Sequence, residues 1–144
     1  MGRPALLDVN VLIALFDPTH VHHEPAHRWF AENRSRGWAT CPITENAFVR
    51  ILSRPRERRP AERASVLASH LRSFCGAVDH RFWPATLTLL DSARFDLSAA
   101  PHRQLTDIYL AGLAHAHDGV LATFDRSIPV SAAPGATLEV IGPA

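Results

Sequence analysis

The chain has 144 residues, 47% of them apolar, which is enough for one core and too little for two ordinary domains, so a single domain over residues 1–144 is expected. No run of about 18 uninterrupted apolar residues occurs, and the start of the chain lacks the charged, then greasy, then small-residue order of a secretion signal; a cytoplasmic protein without a membrane span is the expectation. A formal net charge of +1 does not announce a nucleic-acid binder, so any basic face must be local.

Ala5-Leu6-Leu7 reads as a short buried strand ending at Asp8, followed by a helix to Phe16 with Asn10 as its N-cap. Residues 22–34 place Ala26, Trp29, Phe30 and Asn33 at helical spacing, and Gly37 closes the segment before a strand over residues 38–41. Thr44 caps a helix that carries Glu45 in its first turn and Phe48, Ile51 and Leu52 on its apolar stripe, ending before Pro55. Further helices are predicted over residues 60–74 and 84–93, with a short strand over 77–79 between them. A helix over residues 105–117, with Thr106 capping in front of Asp107, leads through Asp118-Gly119 into a strand over 120–124, and residues 137–141 form a closing strand. Strands alternating with helices predict an α/β domain with a central, mostly parallel sheet and helices on both faces.

In such sheets ligands bind beyond the carboxyl ends of the strands. Asp8 and Asp125 each follow a predicted strand, and Glu45 and Asp107 each begin a helix. Each alone reads equally well as a cap or a loop acid. Together they project from elements that a parallel sheet brings to one edge, where four carboxylates would repel one another unless a cation held them. Hard carboxylate oxygens suit Mg²⁺ or Mn²⁺ better than zinc, and ions held in this way activate water and stabilise the leaving oxygen of a phosphodiester.

In order, Leu7-Asp8-Val9-Asn10-Val11-Leu12, Thr44-Glu45, Thr106-Asp107-Ile108 and Leu121-Ala122-Thr123-Phe124-Asp125-Arg126 resemble the acidic motifs of PIN domains, and the length and spacing are most similar to the VapC toxins of bacterial toxin–antitoxin pairs. The resemblance covers essentially the whole chain. It implies a three-layer α/β/α domain, Mg²⁺- or Mn²⁺-dependent endoribonuclease activity on RNA, a homodimer and a cognate antitoxin of a type II pair. It makes Asp8, Glu45, Asp107 and Asp125 the metal-binding and catalytic acids, with Asn10 and Thr123 as polar helpers: Asn10 to orient Asp8, Thr123 to hold a water or a carboxylate. Because PIN domains also serve in RNA processing, a nuclease that is not a toxin is the first alternative.

Arg126, beside Asp125, is the natural contact for a substrate phosphate. The basic run Arg54-Pro55-Arg56-Glu57-Arg58-Arg59-Pro60 reads either as a grip on RNA or an acidic partner, or as a solvated loop. All fifteen basic residues are Arg, which suits phosphate recognition but is explained as readily by codon bias. His23 and His27 form an i, i+4 pair that could hold zinc, although no third ligand is near in sequence; a helix start near the mouth of the cleft is the simpler reading of the crowd His20, His22, His23 and His27. His115 and His117 read as partners of a helix C-terminus, Trp29, Phe30, Trp38 and Phe48 as core or dimer interface, and Cys41 and Cys75 as buried thiols. Two rivals come from other classes. A haloacid-dehalogenase-type phosphatase wants a second acid where Asn10 stands and a lysine the chain lacks. A non-catalytic RNA- or partner-binding module would keep the fold and lose metal-dependent cleavage.

Overall fold

A computed structural model of the chain describes residues 2–55 and 61–142. The strands are β1 (Ala5–Leu7), β2 (Trp38–Thr40), β3 (His80–Phe82), β4 (Val120–Thr123) and β5 (Leu138–Val140), and the helices α1 (Val9–Phe16), α2 (His23–Asn33), α3 (Pro42–Leu52), α4 (Ala64–Phe74) and α5 (Leu105–Ala116). The strands form one sheet in the order β3-β2-β1-β4-β5, and every neighbouring pair is parallel.

Alternation along β1 sends Ala5 and Leu7 to one face and Leu6 to the other, and each face carries its own core. On the first face Val11, Leu12, Phe30, Phe48, Leu67 and Leu71 from α1–α4 cover the sheet. On the second face α5 supplies Ile108, Leu110 and Leu113, joined by Trp83 and Phe95. The result is the three-layer α/β/α arrangement expected for strands buried on both sides. No helix among the described residues is long and apolar enough to cross a membrane.

Several local expectations are corrected. The N-cap of α1 is Asp8, whose Oδ1 accepts the Val9 N–H, so Asn10 lies inside the first turn. Cys41 caps α3: Pro42 occupies the first helical position, and Thr44 stands at the third, accepting the Cys41 N–H at 3.0 Å. Gln104 precedes α5, which places Thr106 inside that helix. The third strand begins after residues 77–79, because a turn from Ala77 O to His80 N intervenes and the register pairs Trp38 with His80.

The largest difference lies at residues 84–93, predicted helical and found irregular. Here side chains compete with the helical ladder: Thr88 Oγ1 accepts the Leu90 N–H and Asp91 Oδ1 accepts the Ala93 N–H. The segment is tied instead to α5, with Tyr109 Oη donating to Leu87 O at 2.9 Å and the Phe95 ring packed over Gly112. Of the predicted helix 60–74, residues 61–63 are not helical and residue 60 is outside the described residues, as is most of the basic run, residues 56–60. Arg54 and Pro55 are exposed.

Candidate functional site

The sheet order places β1 between β2 and β4, so the chain winds outward in one direction through β2 and β3 and in the other through β4 and β5. The reversal lies between β1 and β4, and a crevice at such a switch point is where open parallel sheets bind ligands. Asp8 leaves the end of β1 with its N–H bonded to Ala122 O of β4, and Asp125 follows β4 by two residues. The two acids therefore flank the crevice.

Asp8 is 3% exposed, yet both its oxygens are engaged: Oδ1 accepts the Val9 N–H at 2.7 Å and Oδ2 accepts the Thr123 hydroxyl at 2.7 Å. Thr123 Oγ1 in turn accepts the Asp125 N–H at 3.1 Å. Burial pushes the Asp8 carboxyl above the usual aspartate range, against the pull of these two donors, and the charge of Asp125 adds to the rise.

Asp125 behaves in the opposite way. Its Oδ1 accepts the Ser127 hydroxyl at 2.6 Å and the Ser127 N–H at 2.8 Å, a turn that holds the carboxyl below its ordinary value. Gln104 Nε2 buttresses the turn by donating to Ser127 Oγ at 3.0 Å. Half-buried Asp107, in the first turn of α5, is pushed up to about 6, first by burial and then by the charges of Asp8 and Asp125. Three of the four predicted acids thus share one electrostatic neighbourhood.

Glu45 stands apart from that trio. Its Oε2 accepts the Thr40 hydroxyl at 2.7 Å, and Thr40 Oγ1 lies 2.8 Å from His80 Nε2. Glu45 opens toward a groove of about 1010 Å³ between α3 and α4, lined also by Val49, Arg50, Leu71, Arg72 and Cys75. The crevice beside Asp125 is a different, smaller cavity with Asn10 at its wall. Asn10 is exposed, and the hydrogen bonds to Asp8 among the described residues come from Val9 and Thr123. Arg126 is exposed, its Nη2 lying toward Gly142.

Among the described residues the ion pairs are Arg34–Asp79 and Arg36–Glu139, neither of which reaches the crevice acids. Three hard-oxygen donors that repel one another and have no ion-pair partner among the described residues suit a hard divalent cation by charge and donor chemistry. The same side chains do not converge as a ready-made cluster, since no group of three or more His, Cys, Asp or Glu among the described residues is arranged to hold a metal ion. A cation here would draw the carboxylates together.

Sequence reasoning missed the groups that hold the acids: Ser127 and Gln104 for Asp125, Thr40 and His80 for Glu45. Only Ser127 had a local signal, the Asp-x-Ser spacing of a side-chain-capped turn. The zinc pair dissolves into structure, because His23 Nδ1 and His27 Nε2 each sit 2.7 Å from carbonyls of α1, Ala14 O and Leu15 O. His117 ends α5 and stacks on Trp83, with centroids 4.6 Å apart. Phe30, Trp38 and Phe48 are core, Trp29 is half-buried, and of the free thiols Cys41 is buried and Cys75 half-buried.

Comparison with known proteins places this geometry in context. The PIN domain family model matches residues 5–132. The chain is 48% identical over 141 residues to Ribonuclease VapC44 of Mycobacterium tuberculosis, covering 94% of this chain and 95% of that protein. It is 42% identical over 132 residues to Ribonuclease VapC39 of the same organism, covering 91% and 95%. Among solved structures, VapBC2 from Rickettsia felis bound to a DNA fragment from their promoter superposes with a TM-score of 0.57 at 13% identity, over 95% of this chain and 98% of that one, a likeness of fold.

Proposed function

Because the chain belongs to the PIN-domain family, alongside its VapC ribonucleases, we propose that it is an endoribonuclease that hydrolyses RNA phosphodiester bonds and serves as the toxin of a type II toxin–antitoxin pair in the cytoplasm. The observation that carries the reading is the link Asp8–Thr123–Asp125 across the switch point, with Asp107 coupled to it by charge.

In this reading Asp8, Asp107 and Asp125 hold Mg²⁺ or Mn²⁺, and Glu45 contributes from the α3 wall. Such an ion, when bound, supplies a nucleophilic water at neutral pH and offsets charge on the departing oxygen. The protein's own part is preparation. Thr123 fixes the Asp8 carboxylate while its own position is set by the Asp125 N–H, so the two acids keep a constant relation. The Ser127 turn holds the Asp125 carboxyl below its ordinary range, whereas burial raises those of Asp8 and Asp107. Arg126 is exposed beside Asp125 and contacts the substrate phosphate from the solvent side.

A cognate antitoxin and a homodimer complete the proposal, the first by extension from the VapBC pair that shares the fold. The test is incubation of the purified protein with structured cellular RNAs in Mn²⁺, Mg²⁺ or chelator, wild type against Asp8→Asn. Discrete metal-dependent cuts lost in the variant support the reading; cutting that persists in Asp8→Asn refutes the site.

A further inference from the structure

Phe124 lies between Thr123 and Asp125, and its side chain anchors a cluster of rings at the rim of the crevice. The His22 ring stacks on it with centroids 4.4 Å apart and planes 19° from parallel. His20 lies 6.4 Å from Phe124 at 27° and 5.7 Å from His22. The turn before α2 holds the imidazoles there, since His20 Nδ1 accepts the His22 N–H at 3.0 Å. All three rings are half-buried, so each keeps surface open to solvent.

A cavity of about 360 Å³ opens among Asn10, His20, His22, Phe124 and Asp125. Its walls are aromatic, with one exposed carboxamide carrying both donors and an acceptor, and the Asp125 carboxylate at its edge. A flat, neutral, π-faced group with hydrogen-bonding edges matches these walls, and an unpaired nucleobase is such a group.

We propose that this cavity is a stacking subsite for one unpaired base of the RNA, adjacent to the phosphodiester that the acids cut; the assignment rests on the nuclease reading above. Phe124 and His22 supply the platform, and the Asn10 amide meets the edge of the base. The crowd of histidines after α1 thereby gains a role in choosing which unpaired nucleotide sits next to the cut.

The test uses the full chain carrying Asp8→Asn, which cannot cut, and single-stranded RNA oligonucleotides with 2-aminopurine placed at successive positions. Stacking quenches that base, so binding should quench one position more than the rest. Adding Phe124→Leu should remove the selective quench and weaken binding roughly five- to hundredfold, the usual range for loss of one base–aromatic stack. Phe124→Tyr should keep both, and His22→Ala, on a turn outside the core, should reproduce the loss should the leucine variant fail to fold. No selective quench, or one that Phe124→Leu and His22→Ala leave in place, overturns the subsite. Failure of the nuclease reading looks different: wild-type protein then leaves every RNA uncut in Mn²⁺ whatever the quench does.

Discussion

Thr123 Oγ1 donates its hydroxyl proton to Asp8 Oδ2 at 2.7 Å and itself accepts the Asp125 N–H at 3.1 Å, so one β4 side chain sets the spacing of the two acids that flank the crevice. Thr123→Val keeps the shape and removes the donor. The buried Asp8 carboxylate then loses a bond that holds its pKa down, and it titrates higher. The acid limb of the cleavage pH profile should move to higher pH and activity near neutrality should fall about tenfold or more, with a stability cost of about 1–3 kcal/mol from the unsatisfied oxygen. Thr123→Ser should restore both; a valine variant with the wild-type profile would contradict the positioning role.

Asp107 predicts how stability responds to pH. Its folded value of about 6 lies above the ordinary 3.8, so between these values the folded state binds more protons than the unfolded one, and stability falls as pH rises through the window. Asp8 acts in the same direction. In chelator, Asp107→Asn should flatten this slope and raise Tm at pH 8. Mn²⁺ at a hundred times its Kd should restore about 2.7 kcal/mol to the wild type, and less as the pH drops below 6 and protons compete for the carboxylates. Thermal melts at pH 5 and pH 8 decide the matter: an equal metal shift at both would mean that the cation does not bind these acids.

Glu45 tests the division of the acidic set. Held by Thr40 and facing the α3–α4 groove, it lies outside the charge-coupled trio. Titration calorimetry with Mn²⁺ should find binding abolished in Asp8→Asn and Asp107→Asn but weakened by no more than about tenfold in Glu45→Gln, whose turnover should nonetheless drop. If Glu45→Gln loses the ion as completely as Asp8→Asn, all four acids form one shell and the partition is wrong.

That partition marks where sequence stopped being informative. The sheet was legible because Ala5-Leu6-Leu7 and Val120-Leu121-Ala122 are short apolar runs leading toward an acid and alternating with helical spacing, whereas the adjacency of β1 and β4 came from the structure. The direction of a side chain is set by contacts far away in sequence. Nothing near Glu45 says that Thr40 and, through it, His80 would hold it, and nothing near Asp125 names Gln104. Caps were misplaced by two or three residues because Asp8, Asn10, Cys41 and Thr44 all lie where a helix could begin. At Asp8 one residue serves both as cap and as proposed ligand, so the site and the helix start cannot be read separately. Residues 84–93 failed for a different reason: their apolar spacing suits a helix, but Thr88 and Asp91 take the local backbone donors.

The irregular segment makes a last prediction about the second core. Gly112 lies mid-helix in α5, and a Cβ there would fall 2.5 Å from Phe95 Cε1 and 2.6 Å from Cζ. The ring is 3% exposed among Tyr109, Leu110 and Leu113, so it has little room to swing away. Gly112→Ala gains helix propensity of about 1 kcal/mol, but the overlap works against it, and overpacking at about 1–3 kcal/mol should win. The variant should therefore unfold at lower denaturant concentration with an unchanged m-value. Combining it with Phe95→Leu, which withdraws the ring, should cost less than the sum of the two single changes, because the residues share one contact. Strict additivity, or a more stable Gly112→Ala protein, would mean that the segment carrying Phe95 yields easily and does not clamp α5.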